Sequence, residues 1–381
     1  MYSGLPLSGH GDPVLKKRVV VAMSGGVDSS TAAWLLKEKG YEVIGATMCI
    51  GIPDRNGTGL NRCCGFSDIE DARQVALQLG IPFHVFQLRE EFGKEIIDYF
   101  CREYGAGRTP NPCILCNEKL KFGSFLKRAM DLGADYVATG HYAQIELDEE
   151  SGQYLLKRGI DRRKDQSYVL FSLKQDQLRH SIFPLGGYHK DEVRRIAFER
   201  GLRVHDKPES QEICFIPETS YHYFLFERLR DSTVPGPIMD RKGKVLGMHK
   251  GIAFYTIGQR RGLRLAKGKP LYVIRIDREK NAIVVGEEQE VYRDTFMVDS
   301  VNWIRPSKET SSISCRVKIR YNHPGAEATL FPKGLDAVEV IFKNPQKAIT
   351  PGQAAVFYDG DTVIGGGWIK EVRSSEWGKK S

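Results

Sequence analysis

Two sets of residues in this chain could do chemistry. The first is Ser24-Gly25-Gly26-Val27-Asp28-Ser29-Ser30, which follows directly on the apolar run Val19-Val20-Val21-Ala22-Met23. Paired glycines let a backbone approach a phosphate closely. The serine hydroxyls, and the amides of a helix predicted to begin near Ser30, would supply donors at the positive end of a helix dipole. No G-x-x-x-x-G-K-[ST] occurs, so this is not the phosphate loop of kinases and GTPases. The plainer alternative is a strand-to-helix turn that simply needs small residues. The second set is thiols: Cys113 and Cys116 in Asn111-Pro112-Cys113-Ile114-Leu115-Cys116-Asn117, and Cys214 alone in Ser210-Gln211-Glu212-Ile213-Cys214-Phe215-Ile216. A thiol at a helix N-terminus is stabilised as thiolate and becomes a better nucleophile near neutral pH. C-x-x-C by itself leaves a zinc half-site (completed by Cys63 and Cys64), a redox pair, part of an iron–sulfur ligand set, or inert buried thiols all open. Cys49, Cys101 and Cys315 lie in periodic apolar stretches and read as small buried hydrophobes.

The elements that must position these residues alternate between strand and helix from about residue 16 to 145. Strands are predicted at Arg18–Ser24, Glu42–Met48, Pro82–Leu88 and Asp135–Gly140. Helices are predicted at Thr31–Lys39, Ile69–Leu79, near Glu91–Tyr104 and near Glu118–Leu132, with a further one at Lys190–Glu199. That alternation implies a doubly wound parallel α/β sheet with its site at the carboxyl ends of the strands. After about residue 216 turn-rich segments such as Pro235-Gly236-Pro237 imply a small mixed domain. Beyond about 285, short alternating runs (Arg316–Arg320, Glu327–Leu330, Ala337–Phe342, Ala354–Tyr358, Thr362–Ile364) imply a small antiparallel β-barrel. The expected division is a tail at 1–15, a catalytic domain at 16–215, a central domain at 216–285, a barrel at 286–373 and a tail at 374–381.

Composition narrows the partners. With 381 residues, the chain can hold two or three domains. No apolar run approaches the roughly 18 residues of a membrane helix, and Met1–Pro13 lacks the apolar core of a signal peptide; a cytoplasmic protein with a loose N-terminal tail is expected. Eight cysteines without an export signal argue for catalytic, redox or metal roles over a disulfide framework. The 56 basic against 48 acidic residues permit nucleic-acid binding without requiring it. Their distribution says more, since Arg241–Arg275 holds ten basic residues and no acidic one, interleaved with Phe254, Tyr255 and Tyr272. Such a run is either a solvated face or a surface that tracks phosphates.

SGGVDSS resembles the pyrophosphate loop of ATP-pyrophosphatases, which split ATP between its α- and β-phosphates. With GRTPNPCILCN (107–117), ATGHYA (138–143), KDQSYVL (164–170), SQEICFI (210–216) and HKGIAFYTIGQRRGL (249–263) in order, the chain resembles the MnmA (TrmU) family of bacterial tRNA-specific 2-thiouridylases, from about residue 17 to about 370. The resemblance implies that Ala22, Met23, Ser24, Gly25, Gly26, Val27, Asp28 and Ser29, with Met48 and Gly140, hold ATP. It makes Cys116 the nucleophile and Cys214 the carrier of a persulfide. Asn111, Pro112 and Cys113 fall where the family contacts the target base, and His141, Lys164, Asp165, Gln166, Arg320, Tyr321 and Gln353 fall where it contacts tRNA. The plainer readings are an exposed turn for 164–166, a strand-end charge for Arg320 and a satisfied histidine for His141.

The implied reaction is ATP-dependent 2-thiolation of the wobble uridine, position 34. AMP is transferred to the uracil O2, with Mg²⁺ bridging the phosphates and Asp28 contacting it directly or through water. Sulfur then passes from the Cys214 persulfide, which a cysteine desulfurase or sulfur-relay carrier would load. Cys116 either frees hydrosulfide from the persulfide or resolves it as a Cys116–Cys214 disulfide. Cys113 departs from the aspartate of many members, so Cys113, Cys116 and Cys214 could alternatively bind a [4Fe-4S] cluster. The competing functions are an ATP-pyrophosphatase acting on a small molecule, and a non-catalytic RNA-binding protein.

Overall fold

The run Val19-Val20-Val21 is β-branched and fully buried, which suits a central parallel strand covered on both faces. In the computed structural model it forms the core of β1 (Arg18–Ala22). The residues described are 16–51, 66–208, 213–216, 221–229, 233–265, 269–305 and 312–373. From β1 the chain continues through α1 (Val27–Glu38), β2 (Glu42–Cys49), α2 (Phe66–Leu79), β3 (Phe83–Gln87), α3 (Arg89–Phe92), α4 (Asp98–Gly105), α5 (Pro112–Leu115) and α6 (Phe125–Asp131). It goes on through β4 (Tyr136–Ala138), β5 (Ala143–Asp148), β6 (Gln153–Arg158), α7 (Gln175–Arg179), β7 (Ser181–Ile182), α8 (Lys190–Glu199) and α9 (Tyr221–Arg228).

The described chain forms two compact units that interleave in sequence: residues 1–92, 116–210 and 361–363, and residues 93–115, 211–360 and 364–381. The first unit is built on a five-stranded parallel sheet in the order β3-β2-β1-β4-β7. Strand order grows one way from β1 to β3 and the other way from β4 to β7. The switch point therefore lies between the carboxyl ends of β1 and β4, where ligands of such sheets bind. Leu36, Val75, Ala76 and Ala197 bury the helices against the strand residues Val19, Val21 and Val43. β5 and β6 make an antiparallel hairpin that the sequence reading left unassigned, and Thr362–Val363 pair with Leu156–Lys157 of β6.

The second unit holds two β structures. A mixed four-stranded sheet has the order β10-β11-β8-β9, from β8 (Gly236–Met239), β9 (Val245–His249), β10 (Tyr272–Asp277) and β11 (Ala282–Gly286); only β8 and β11 pair in parallel. The barrel runs through β12 (Tyr292–Trp303), β13 (Ile313–Lys318), β14 (Ala326–Pro332), β15 (Val338–Lys347), β16 (Ala354–Asp359) and β17 (Thr362–Arg373), closed by β12 pairing with β17. Phe296, Val298, Leu330, Val340, Phe342 and Phe357 fill it.

Two predicted helices depart from plain α geometry. The one predicted near 91–104 is α3 and α4 joined by a π-helical turn, Gly93–Ile97. The one predicted near 118–132 begins earlier, with the π-helical stretch Cys116–Ser124 running into α6. Wide π turns loosen the backbone ladder, and here Gln177 Nε2 donates to the carbonyls of Glu118 (3.0 Å) and Phe122 (2.7 Å).

Within the barrel, buried His323 accepts the Gly325 N–H on Nδ1 at 3.1 Å and donates from Nε2 to Gln346 Oε1 at 3.2 Å. Burial, joined by the charges of Arg320 and Lys318 against the Gln346 bond, pushes its pKa down to about 4. The unfolded chain takes up this proton near pH 6.5, whereas the folded barrel resists it. The stabilisation is thus complete above pH 6.5 and lost as pH falls through 4, on the order of 2–3 kcal/mol. Urea unfolding between pH 7.5 and 4 should show this loss, and His323→Gln should flatten it.

Candidate nucleotide loop and thiol sites

The loop Met23–Gly26 leaves the end of β1 at the switch point. Its Met23 N–H is held by the Ala46 carbonyl at 2.8 Å. Gly26 is the N-cap, and the helix begins at Val27 rather than near Ser30. Val27, Asp28 and Ser29 therefore sit in the first helical turn, where backbone amides have no intrahelical acceptor. The Ser29 and Ser30 hydroxyls both donate to the Gly26 carbonyl (3.3 and 2.9 Å), and Ser29 Oγ accepts the Ser24 N–H at 3.1 Å. These hydroxyls shape the loop, while Ser24 is exposed.

Glycine is required at two points. Gly25 has φ +72°, and a Cβ there would lie 2.3 Å from the Asp68 carbonyl oxygen. A Cβ on Gly140, just after β4, would lie 2.8 Å from Ser29 N and 2.9 Å from Asp28, so the β4 end closes tightly on the start of α1. Lys207 ties the same loop down by donating to Gly25 O (3.1 Å), Asp68 Oδ1 (2.8 Å) and Asp71 Oδ2 (2.6 Å). Burial opposes the charge on Lys207, but its bonds to Asp68 and Asp71 prevail and raise its pKa. Gly25→Ala should cost roughly 1–3 kcal/mol from backbone conformation alone. It should also displace the Asp68 carbonyl and weaken ATP binding, which thermal unfolding and calorimetric titration would measure together.

Asp28 faces a set of partners that sequence reasoning missed. Its carboxylate accepts Lys190 Nζ at 2.7 and 2.8 Å and the Tyr142 hydroxyl at 2.7 Å. The Lys190 side chain is 5% exposed against 31% for Asp28, so the ammonium is buried beneath a carboxylate that still meets solvent. Two oxygens offer about four acceptor positions, and the three bonds leave one on Oδ2. One water of a hydrated Mg²⁺ could donate to that position. Met48 lies half-buried in β2, one strand from β1.

Among the thiols, Cys113 is exposed in α5. Its N–H is accepted by Asn111 Oδ1 at 3.1 Å, and buried Pro112 opens the helix; an Asn cap followed by proline is a strong helix start. Cys116 is half-buried at the head of the π-helical stretch, and the next residue, buried Asn117, donates to Val169 O at 2.8 Å. Cys214 is exposed beside buried Phe215, whose ring packs edge-on to Phe100 at 5.2 Å. Cys116 belongs to the first unit, Cys113 and Cys214 to the second. Among the described residues no three His, Cys, Asp or Glu side chains converge on a metal position. Cys63 and Cys64 lie outside the described residues. Cys49 and Cys101 are buried as expected, and burial pushes the half-buried Cys315 thiol up to about 12.

The residues matched to tRNA contacts sit in varied surroundings. His141 is buried, with Nδ1 2.6 Å from Thr139 Oγ1 and Nε2 3.4 Å from Lys121 Nζ. Burial and then the Lys121 charge hold its pKa well below the usual value, so it is neutral at pH 7. Lys164 is half-buried; Asp165 is buried, taking the N–H groups of Ser167 (3.0 Å) and Gly159 (3.3 Å). Gln166 Oε1 accepts the Tyr142 N–H at 3.0 Å. In the second unit, Arg320 donates to Lys347 O at 3.0 Å, and the Tyr321 ring lies 5.8 Å from Lys318 Nζ. Gln353 donates to Thr109 O at 2.8 Å, bracing the segment that leads into Asn111. Within the basic run, Arg241, Lys269 and Arg275 pair with Glu290, Glu287 and Asp277. Arg260, Arg261 and Arg264 are exposed, and Lys267 lies outside the described residues.

A parallel sheet with a glycine loop at its switch point, then a mixed small sheet and a closed barrel, defines a three-part architecture that known families share. Residues 17–218 match the family described as tRNA methyl transferase HUP domain, 222–287 its PRC-barrel domain, and 293–369 the aminomethyltransferase beta-barrel domain. The chain is 52% identical over 356 residues to the tRNA-specific 2-thiouridylase MnmA of Halothermothrix orenii, covering 93% of this chain and 99% of that one. It is 51% identical to that of Symbiobacterium thermophilum, covering 96% and 94%. The chain belongs to the tRNA-specific 2-thiouridylase family and is a tRNA sulfurtransferase. Among solved structures, the U34-tRNA thiolase NcsA from Methanococcus maripaludis with its [4Fe-4S] cluster gives a TM-score of 0.33 at 23% identity, over 58% of this chain and 67% of that one; a likeness that low bears on nothing further. Among the described residues no helix is long and apolar enough to cross a membrane.

Proposed function

We propose that this chain uses ATP to activate the O2 of a tRNA uridine and replaces that oxygen with sulfur. The observation that carries the reading is the chain-long identity with 2-thiouridylases, together with a HUP-domain match that contains the Ser24–Ser30 loop and all three thiols. The uracil C2 carbonyl is a poor electrophile and oxide a poor leaving group. Attack of O2 on the α-phosphorus of ATP forms an O2–AMP bond and releases pyrophosphate, so that oxygen can depart as AMP.

The nucleotide would lie on Ala22–Ser29 with Met48 and Gly140. Bound Mg²⁺, contacted by Asp28, would supply charge neutralisation at the phosphates. The wobble uridine, position 34, would be turned out of its stack against Asn111, Pro112 and Cys113. A Cys214 persulfide, loaded by a cysteine desulfurase or relay carrier, holds the sulfur. In one route its terminal sulfur attacks C2, AMP departs, and Cys116 thiolate attacks Cys214 Sγ to release the thiouridine. In the other, Cys116 thiolate attacks first and the freed hydrosulfide displaces AMP. Both routes end with a Cys116–Cys214 disulfide, which an external dithiol must return to two thiols. Water must be kept from the adenylate.

Lys164, Asp165, Gln166, Arg320, Tyr321 and Gln353 would order the RNA surface, with Asp165 and Gln353 acting through the backbone they brace and His141 acting through Lys121. The exposed Arg260 and Arg261 would add phosphate contacts. The corresponding division of the chain is 16–215, 216–285 and 286–373, and its compartment the cytoplasm. Nucleoside mass spectrometry of tRNA incubated with ATP, a cysteine desulfurase and this protein tests the reading. 2-Thiouridine should appear only when all components are present, and its absence from the complete mixture would remove the assignment.

A further inference from the structure

Asp28 is held from two directions, and both holds lead back to one surface turn. Lys190 is the first residue of α8, and its N–H is donated to Asp161 Oδ2 at 3.1 Å. Asp161 is buried and also accepts the Arg163 N–H at 3.1 Å. Tyr142 exchanges two bonds with Gln166: its N–H reaches Gln166 Oε1 at 3.0 Å, and its carbonyl takes the Gln166 N–H at 2.9 Å. The turn 161–166 thus fixes the backbone of Lys190 and of Tyr142. Each of these then ends on the Asp28 carboxylate, by an ammonium at 2.7 and 2.8 Å and a hydroxyl at 2.7 Å. The turn is stiffened by the Asp165 side chain, which takes two backbone N–H groups. It carries Arg162 and Arg163, both exposed, with Arg162 paired to Asp361 and Arg163 to Asp161, and the half-buried Lys164. A shift of the turn cannot leave both bonds to Asp28 unchanged, because hydrogen bonds weaken steeply with distance and angle.

We propose that Lys190 and Tyr142 are positioning residues for Asp28, and that they couple it to the 161–166 turn so that RNA held on the turn is felt at the nucleotide loop. The proposal rests on the reading of Lys164–Gln166 as an RNA contact and of Asp28 as a nucleotide-loop residue. It gives adenylation a physical reason to wait for tRNA, which protects ATP from futile cleavage. By linkage, tRNA and nucleotide must change each other's affinity by the same factor.

The test uses the full chain and α,β-methylene-ATP, titrated calorimetrically with and without an unmodified tRNA transcript. In wild type, tRNA should tighten the analogue by about fivefold or more. Tyr142→Phe and Asp161→Asn should each bring that ratio to within about twofold of unity while the thermal midpoint shows a folded protein. In pyrophosphate release, Lys190→Met should lower kcat with KM for ATP little moved, and Lys190→Arg should restore part of it. A wild-type ratio retained by both Tyr142→Phe and Asp161→Asn overturns the proposal. So does a ratio of one in wild-type protein that still makes 2-thiouridine, in which case the function stands without the coupling. Wild-type protein that binds neither analogue nor tRNA removes the function first and this proposal with it.

Discussion

Protein carrying Cys214→Ser should release pyrophosphate when ATP and tRNA are supplied, yet its thiolation should fall to background, a loss on the order of 10³-fold or more. In the proposed mechanism adenylation would need only the Met23–Ser29 loop and a bound uridine, with no thiol taking part. Serine at 214 cannot carry a sulfane sulfur, so the adenylate should form and receive no sulfur. Cys116→Ser should block thiolation as completely but leave a different product. The persulfide loaded on Cys214 then persists, because the thiolate that would attack Cys214 Sγ is gone; alkylation and peptide mass spectrometry would find the extra sulfur at 214. Cys113 separates two chemistries. It is exposed in α5 with its backbone capped by Asn111. Serine there removes nothing that a persulfide pair uses, so aerobic Cys113→Ser protein should retain activity. Anaerobic wild-type protein with about four bound irons, whose removal abolishes activity, would reverse this expectation.

What the sequence made legible follows the range of the forces involved. Val19–Val21 reads as a strand because burial on both faces demands an unbroken β-branched run. α8 begins at Lys190 and ends at Glu199 as expected, since Gly201 at φ +62° supplies a stop that a glycine in sequence announces. The start of α1 was placed about three residues late, because Gly26 caps through backbone conformation and leaves no side-chain signal. β12 escaped notice: its alternation at Phe296 and Val298 is broken by a register shift between Asp299 and Asn302, and a bulge destroys the period-2 pattern.

The loop motif and the thiols were visible because their chemistry lies in contiguous residues. Lys190 was not, although it bonds both oxygens of Asp28; 162 positions separate the two, and no local pattern marks a lysine that will be buried. A carboxylate at a site demands a cation, but only the fold names which one. Tyr142 lay inside a recognised motif, yet its hydroxyl's destination depends on how the end of β4 meets α1. Gln353 likewise gains its meaning from Thr109, 244 residues away.

Asp28→Asn should reduce tRNA-dependent pyrophosphate release at least about 100-fold, the scale on which removing one electrostatic stabiliser of a developing charge is felt. The substitution keeps the shape of the side chain and one acceptor oxygen, and removes the charge. It has a second consequence, since the Lys190 ammonium, 5% exposed, loses its counter-charge. Leaving one partner of a buried pair uncompensated costs about 3–5 kcal/mol, and less where the carboxylate meets solvent, so roughly 2–3 kcal/mol is expected here. Activity and stability therefore fall together in the single variant, which by itself would not distinguish a chemical role from a folding defect. The double variant Asp28→Asn with Lys190→Met separates them. With the stranded charge removed, the thermal midpoint should return most of the way to wild type, while pyrophosphate release stays low. tRNA affinity, measured by filter binding, should remain within about threefold of wild type, because the proposed role of Asp28 is in phosphate chemistry and not in holding RNA. Recovery of pyrophosphate release along with stability in the double variant would show that Asp28 serves the fold alone.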